Sequence, residues 1–404
     1  MSARGPAPAA ARRARGGGPV PVVHVITQLE LGGAQQNTLH TVASLDRARF
    51  APVLVCGPGG LLDDEARASR DVPVHFLEDL VRPLSPRRDL AATAALAALL
   101  APLAARGPVL VHTHSSKAGI VGRRAAARAH AGPVVHSVHG FGHAALPAGP
   151  VRALGLMVER RMARTTDAFL CVSRAAIAQG RALGLFGDRP VHLVRSGIDL
   201  ADFARADALR AGARAELGLP PGALVVGLIA CLKPQKAPLD FIELSARVAA
   251  ARPEARFLVA GDGELRGAVE AAIARHGLQQ RVTLLGWRRD VPALLGALDV
   301  LVLTSRWEGL PRVCPQAMAA GRAIVATAVD GIPEAVVDGR NGLLFPSGDV
   351  AAGAARVLEL LADAPLRARL AAAGRAAVAE FDQDRMVADQ ERIYAGLLEA
   401  PAAS

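Results

Sequence analysis

The sequence predicts an α/β protein of two domains, each a parallel sheet wound with helices on both faces. Three observations lead there. The chain has 404 residues, more than one hydrophobic core comfortably serves. Short apolar segments alternate along its whole length with longer alanine-rich stretches of helical pattern, the signature of repeated β-α units. The pattern is interrupted once, at a polar connection that ends in Pro220-Pro221-Gly222, and then starts again.

The first domain opens with a strand from Val22 to Thr27, a glycine-bearing loop at Leu31-Gly32-Gly33-Ala34, a helix through Leu45 and a second strand from Pro52 to Cys56. Further strands are expected at Pro108 to His112, Pro133 to Val138, Ala168 to Val172 and Val191 to Val194. The second domain repeats the alternation with strands at Leu224 to Ile229, Arg256 to Ala260, Val282 to Leu284, Val300 to Leu303 and Ala323 to Ala326. A last helix, Asp384 to Leu398, has no strand after it and is free to pack across the lobes. The expected division is a basic disordered tail at 1–18, domains at 19–205 and 206–380, and the final helix and tail at 381–404.

Composition narrows the function. Hydrophobic residues make up 51% of the chain, yet charged or glycine positions break every apolar run before the roughly 18 residues that a membrane span needs. The N-terminal segment lacks the continuous apolar centre of a secretory signal. Cys56, Cys171, Cys231 and Cys314 are far apart, which suggests reduced thiols in a cytoplasmic protein. Through Leu200 there are 24 Lys and Arg against 13 Asp and Glu, a surplus of +11, whereas the remainder has 23 against 24. With 3% aromatic residues and no nucleic-acid motif, the basic half fits an anionic membrane surface or a diphosphate-bearing acceptor better than nucleic acid.

In open parallel sheets, ligands bind at the carboxyl ends of strands, so the loops leaving each strand are the places to look. The richest is Thr304-Ser305-Arg306-Trp307-Glu308-Gly309-Leu310-Pro311, followed by Arg312-Val313-Cys314-Pro315-Gln316. A strand ends, a turn exposes a carboxylate, and a helix begins whose first turn must hold Pro315, where a missing N–H costs nothing. Free N–H groups there suit a diphosphate, and Glu308 suits sugar hydroxyls. His112 and His114 stand at alternate positions of one strand, a poor metal site without a third ligand. Asp382-Gln383-Asp384, the one aspartate pair at metal-binding spacing, precedes the last helix and reads as a cap. No metal and no cofactor are expected.

The stretch from Thr304 resembles the signature of the family 4 retaining glycosyltransferases, in which a Glu is followed eight positions later by a second. The resemblance runs from about Val22 to Tyr394 and implies the GT-B fold, two Rossmann-like domains facing across a cleft. It makes Glu308 the contact to the donor sugar, with Gly309, Leu310 and Pro311 beside it, and puts Gln316, where the family has Glu, at the ribose. Gly227 to Lys236 resembles the segment that grips the donor diphosphate: Lys236 falls at the family lysine, Cys231 replaces the arginine, and Lys233 is a substitute by reach or a surface residue. Gly32 and Gly33 resemble the glycine loop near donor phosphate and acceptor, and His139 the histidine that approaches the donor sugar. His114 and Lys117 resemble the acceptor-side loop, while Gly261 and Glu334 complete the donor side, Glu334 being equally suited to cap a helix. The implied activity is retaining transfer of a hexosyl group from a nucleotide sugar, a UDP-sugar above others, to a glycan or lipid-linked acceptor in bacterial cell-surface polysaccharide synthesis. The alternatives are a nucleotide-sugar epimerase on the same fold and, given Cys231 and Gln316, a nucleotide-sugar-binding protein with weakened catalysis.

Overall fold

The computed structural model describes residues 18–141 and 149–400. The expected tail at 1–18 therefore lies outside the described residues, apart from Gly18. The chain divides into two compact units. The first comprises the chain up to Val172, Ile177–Val194 and the segment from Asp384, and the second comprises Ser173–Ala176 and Arg195–Gln383.

The first unit holds seven strands: β1 (Val20–Gln28), β2 (Phe50–Gly57), β3 (Val74–Phe76), β4 (Leu110–His114), β5 (Val134–Val138), β6 (Ala168–Cys171) and β7 (Val191–Leu193). They pair in the order β3-β2-β1-β4-β5-β6-β7, every pair parallel. Every residue of β4, β5 and β6 is buried, as parallel strands with both faces covered must be. The second unit holds β8 (Val225–Ile229), β9 (Arg256–Ala260), β10 (Val282–Gly286), β11 (Val300–Leu303), β12 (Ala323–Thr327) and β13 (Leu343–Phe345), in the order β10-β9-β8-β11-β12-β13, again all parallel.

Three expectations are corrected. Strand β4 runs to His114 rather than stopping at His112, because its polar end faces buried partners instead of solvent. Strands β3 and β13, three residues each at sheet edges, are additions to the expected set. The unit boundary lies between Val194 and Arg195, ahead of the expected 205/206. Arg195 there pairs with Glu334 at 2.5 Å and Glu380 at 3.2 Å, and the Ile198 N–H donates to the Phe381 carbonyl at 2.8 Å, so the connection is zipped onto the second unit.

The chain then returns. In the helix Gln383–Glu399, Met386, Val387 and Tyr394 pack with Val22, Leu45, Phe50, Leu110, Val135, Leu170 and Val194 in a core of the first unit. Fully burying such side chains is worth about 1.5–3 kcal/mol each, which binds the last helix to the sheet laid down first. A separate core fills the second unit around Phe241, Ile242, Phe257, Val302 and Val325.

Candidate active site

In each unit the strand order reverses at one place, between β1 and β4 and between β8 and β11. Loops leaving adjacent strands diverge at such a point and leave a crevice at the carboxyl ends. Most expected site residues lie in the loops leaving these four strands, with His139, Gly261 and Glu334 following the neighbouring β5, β9 and β12.

In the second unit, the loop after β8 runs through a 3₁₀ turn at Pro234–Lys236. The loop after β11 leads into the helix Val313–Ala319. The two are stitched together. The Arg306 N–H donates to the Gln235 carbonyl at 2.7 Å, and the Thr304 hydroxyl reaches the carbonyls of Lys236 at 3.0 Å and Ala237 at 2.9 Å. This brings Lys236 Nζ to 2.5 Å from Glu308 Oε1, across 72 positions of sequence. The Ser305 hydroxyl donates to the same oxygen at 2.7 Å, and Gln235 Nε2 reaches Oε2 at 3.4 Å. The turn itself is held by the Glu308 N–H, which donates to Asp330 Oδ2 at 2.7 Å. With its side chain 5% exposed, Glu308 is no solvated loop residue but a buried carboxylate neutralised by one lysine.

Glycines allow the close approaches. A Cβ on Gly331 would lie 1.9 Å from the Gly309 carbonyl oxygen, so only glycine lets this segment press on the Glu308 turn. Gly261 has φ +130 and sits against the β8 loop, where a Cβ would meet the Ala230 carbonyl at 2.0 Å. Gly309, Leu310 and Pro311 are buried, Lys233 is half-buried, and Gln316 is buried in the helix that follows. Pro315 lies in that helix's first turn, as required. The expected supply of free N–H groups there is reduced, since the Cys314 N–H donates to the Pro311 carbonyl at 3.0 Å.

Glu334 has other work. Its carboxylate accepts the N–H groups of Arg174 at 3.0 Å and Ala175 at 2.8 Å, and pairs with Arg195. Burial alone would raise its pKa, but those two N–H groups and Arg195 together hold it below the usual carboxylate range. Of its two expected roles, the structure displays the cap.

In the first unit, Gly32 and Gly33 open the helix Gly33–Ser44 after β1, with Gly32 as its extended N-cap. Lys117, in the helix Ser116–Ala129 after β4, is tied to Asp89 at 2.7 Å and to the Pro83 carbonyl. His114 is buried, with Nε2 3.1 Å from His24 Nδ1 and Nδ1 3.1 Å from His139 Nε2. Both of its ring nitrogens are thus taken by other histidines. His112 is likewise held, by Tyr394 OH at 2.5 Å and Ser137 Oγ at 2.8 Å. Burial drives His24 down to about 3 and drives His112, His114 and His136 well below the ordinary imidazole value, so all four are neutral at physiological pH.

Sequence reasoning missed His24. It lies inside β1 in register with His112 on β4, and the pairing that aligns them is invisible before the sheet order is known. His24 also supplies the third imidazole that His112 and His114 lacked, the three ligand atoms lying within 4.8 Å of one another. Against a metal centre, His112 already has both ring nitrogens hydrogen-bonded to groups outside the trio, Tyr394 and Ser137. Ser305, Gln235 and Asp330, which position Glu308, were also missed, because short polar residues in loops carry no spacing signal.

Comparison with known proteins bears on this arrangement. Residues 221–363 match the model of the glycosyl transferases group 1, and residues 31–202 match that of Glycosyltransferase Family 4. The chain is 31% identical over 345 residues to the UDP-Gal:alpha-D-GlcNAc-diphosphoundecaprenol alpha-1,3-galactosyltransferase of Escherichia coli, covering 82% of this chain and 85% of that one. It is 34% identical over 283 residues to a D-inositol 3-phosphate glycosyltransferase of Mycobacterium sp. (strain KMS), covering 66% of this chain and spanning 62% of that relative's length. Among solved structures, Anabaena HepE in complex with UDP and glucose superposes with a TM-score of 0.80 at 23% identity, over 94% of this chain and all of that one. WaaG, a glycosyltransferase involved in lipopolysaccharide biosynthesis, superposes with a TM-score of 0.76 at 16% identity, over 93% and 100%. Two parallel sheets with reversed order at one point each, a lysine and a glutamate joined at the second of them, and these likenesses lead to one assignment: the chain belongs to glycosyltransferase family 4 of the group 1 glycosyl transferases and is a glycosyltransferase of the GT-B fold.

Proposed function

We propose that this enzyme transfers a hexosyl group, with retention, from a UDP-sugar to a lipid-linked glycan acceptor in cell-surface polysaccharide assembly, and that no metal takes part. The observation that carries the reading is the Lys236–Glu308 pair at the β8/β11 switch point. Lys236, oriented by a buried carboxylate, supplies a fixed cation for the departing diphosphate, so that charge is met without reorganisation. Glu308 keeps its second oxygen, 3.4 Å from Gln235, for the donor sugar, and Gln316 addresses the ribose. The acceptor attacks on the face the diphosphate leaves, and that diphosphate takes the proton. His139 positions the sugar. UDP accords with the ligands of HepE, and a diphosphate-lipid acceptor with the named substrate of the E. coli relative.

The first unit carries features suited to the lipid. In the helix Pro150–Ala163, Val151, Leu154 and Met157 are each more than half exposed, and Arg160 and Arg161 lie exposed in its last turn. An apolar stripe edged with arginine suits the interface of an anionic bilayer, where a basic residue contributes about 1 kcal/mol. No described helix is long and apolar enough to cross a membrane. Of the neighbouring Arg123 and Arg124 only Arg124 is exposed, since Arg123 is buried and paired with Glu159 at 2.7 Å.

The decisive experiment offers purified enzyme a panel of nucleotide sugars with an undecaprenyl-diphosphate-linked sugar acceptor, with and without EDTA. Turnover of a UDP-hexose that EDTA leaves unchanged is the expected result. Turnover restored only by manganese or magnesium overturns the metal-free mechanism, and a donor with another base overturns the UDP reading.

A further inference from the structure

Three imidazoles form a ladder through the first unit's switch point. His139 Nε2 meets His114 Nδ1 at 3.1 Å, and His114 Nε2 meets His24 Nδ1 at 3.1 Å. The rings are nearly parallel, with interplanar angles of 24° and 14° and centroids 5.4 Å apart at both steps. The inner end is blind: His24 Nε2 is buried and has no hydrogen-bond partner.

Each link holds one proton, so the direction of the whole ladder is a single choice. If His139 donated from Nε2, His114 would donate from its own Nε2 and the last proton would sit on His24 Nε2, a buried N–H with no acceptor. In the other direction His24 donates from Nδ1, and only a lone pair is left bare at the blind end. Orphaned buried donors are rarer in proteins than under-used acceptors, and this decides the direction. The flanking groups do not compete. His112 is tied off separately: the Tyr394 hydroxyl donates to Gln390 Oε1 at 3.0 Å, so it accepts from His112 Nδ1, and His112 Nε2 then accepts from Ser137. His136 meets the Thr113 hydroxyl at 2.8 Å.

We propose that the blind ladder of His24 and His114 holds His139 as the neutral tautomer with its proton on Nδ1, His114 being the positioning residue. His139 then presents a donor, never an acceptor, at Nδ1. The consequence for transfer rests on the reading above that His139 serves the donor sugar; the tautomer itself does not, and is measured with no donor present.

The test is nitrogen-15 NMR of histidine-labelled full-length protein at pH 7, in which long-range proton couplings distinguish the two ring nitrogens of each neutral imidazole. His139 should show Nδ1–H in about tenfold or greater excess, the bias that one avoided orphan donor supplies. His114→Phe keeps a ring in the stack but removes the link. In that variant His139 should become a mixture of tautomers, with kcat falling and the donor KM little changed. Nε2–H at His139 in the wild-type protein overturns the proposal, whether or not the variant folds. So does stoichiometric zinc bound by wild-type protein with His24, His112 and His114 as ligands, which makes the cluster a metal centre. An unaltered His139 tautomer in a folded His114→Phe protein overturns it as well.

Discussion

Acid should unfold the first unit long before the second. His24, His112, His114 and His136 are buried and neutral, with burial as the leading cause of every downward shift. In the unfolded chain each titrates near the ordinary imidazole value of 6.5. As pH falls below that value the unfolded ensemble takes up protons that the native state refuses, so stability is full above it and is lost on the way down, for His24 until about 3. Between pH 7.5 and 5.5 the loss for one such group is RT times the logarithm of ten, about 1.4 kcal/mol. Four groups together lose about 5 kcal/mol, comparable to the whole stability of a modest domain. The second unit, whose only histidine is His276, supplies the internal control. Hydrogen exchange of the most protected amides, corrected for intrinsic rates, reads both units in one sample. Amides of β1 and β4 should lose about 5 kcal/mol of protection over this range and those of β8 and β11 far less. His24→Asn should recover about one quarter of the difference. Equal pH dependence in the two sheets, or an unchanged slope in the variant, refutes the reasoning.

Three further outcomes follow from the site. Lys236→Met should lower kcat by about 100- to 1,000-fold through loss of the fixed cation, while Glu308→Gln, which keeps the Ser305 contact, should abolish transfer without unfolding; near-wild-type kinetics in either variant removes that residue from the chemistry. Gln316→Glu should tighten UDP binding by calorimetry, since a carboxylate makes stronger bonds to a ribose diol, and equal affinities for Gln316→Glu and Gln316→Ala would place residue 316 outside the site. Sedimentation with anionic vesicles at low salt should capture the protein lacking residues 1 to 18 and fail for Leu154→Ser/Met157→Ser, and binding that ignores salt and lipid charge would argue against docking.

Much of the fold was legible because parallel strands buried on both faces read as short apolar runs. Eleven of the thirteen strands announced themselves in this way, and the two that did not are three-residue edges. Glu308 and Lys236 were legible through the family pattern around them, but their union was not: it depends on β8 and β11 being neighbours, which no local spacing encodes. The same holds for His24, which looks like one polar residue in an apolar strand until β4 lies beside it. Glu334 displays the converse. Its motif was legible, yet its partners Arg174, Ala175 and Arg195 lie more than a hundred positions away, and they decide what its carboxylate does.

The return of the last helix to the first sheet fixes an order of synthesis. All seven strands of the first unit have been made by the time Val194 is added, but the side chains that close their core, Met386, Val387 and Tyr394, come about 200 residues later, roughly 10–40 s at ordinary elongation rates. During that interval most of the second unit is made while Val22, Phe50, Leu110 and Leu170 wait with one side uncovered. The unit begun first is thus finished last, and a nascent chain that stalls anywhere in the second unit carries an unfinished apolar face for a chaperone to hold.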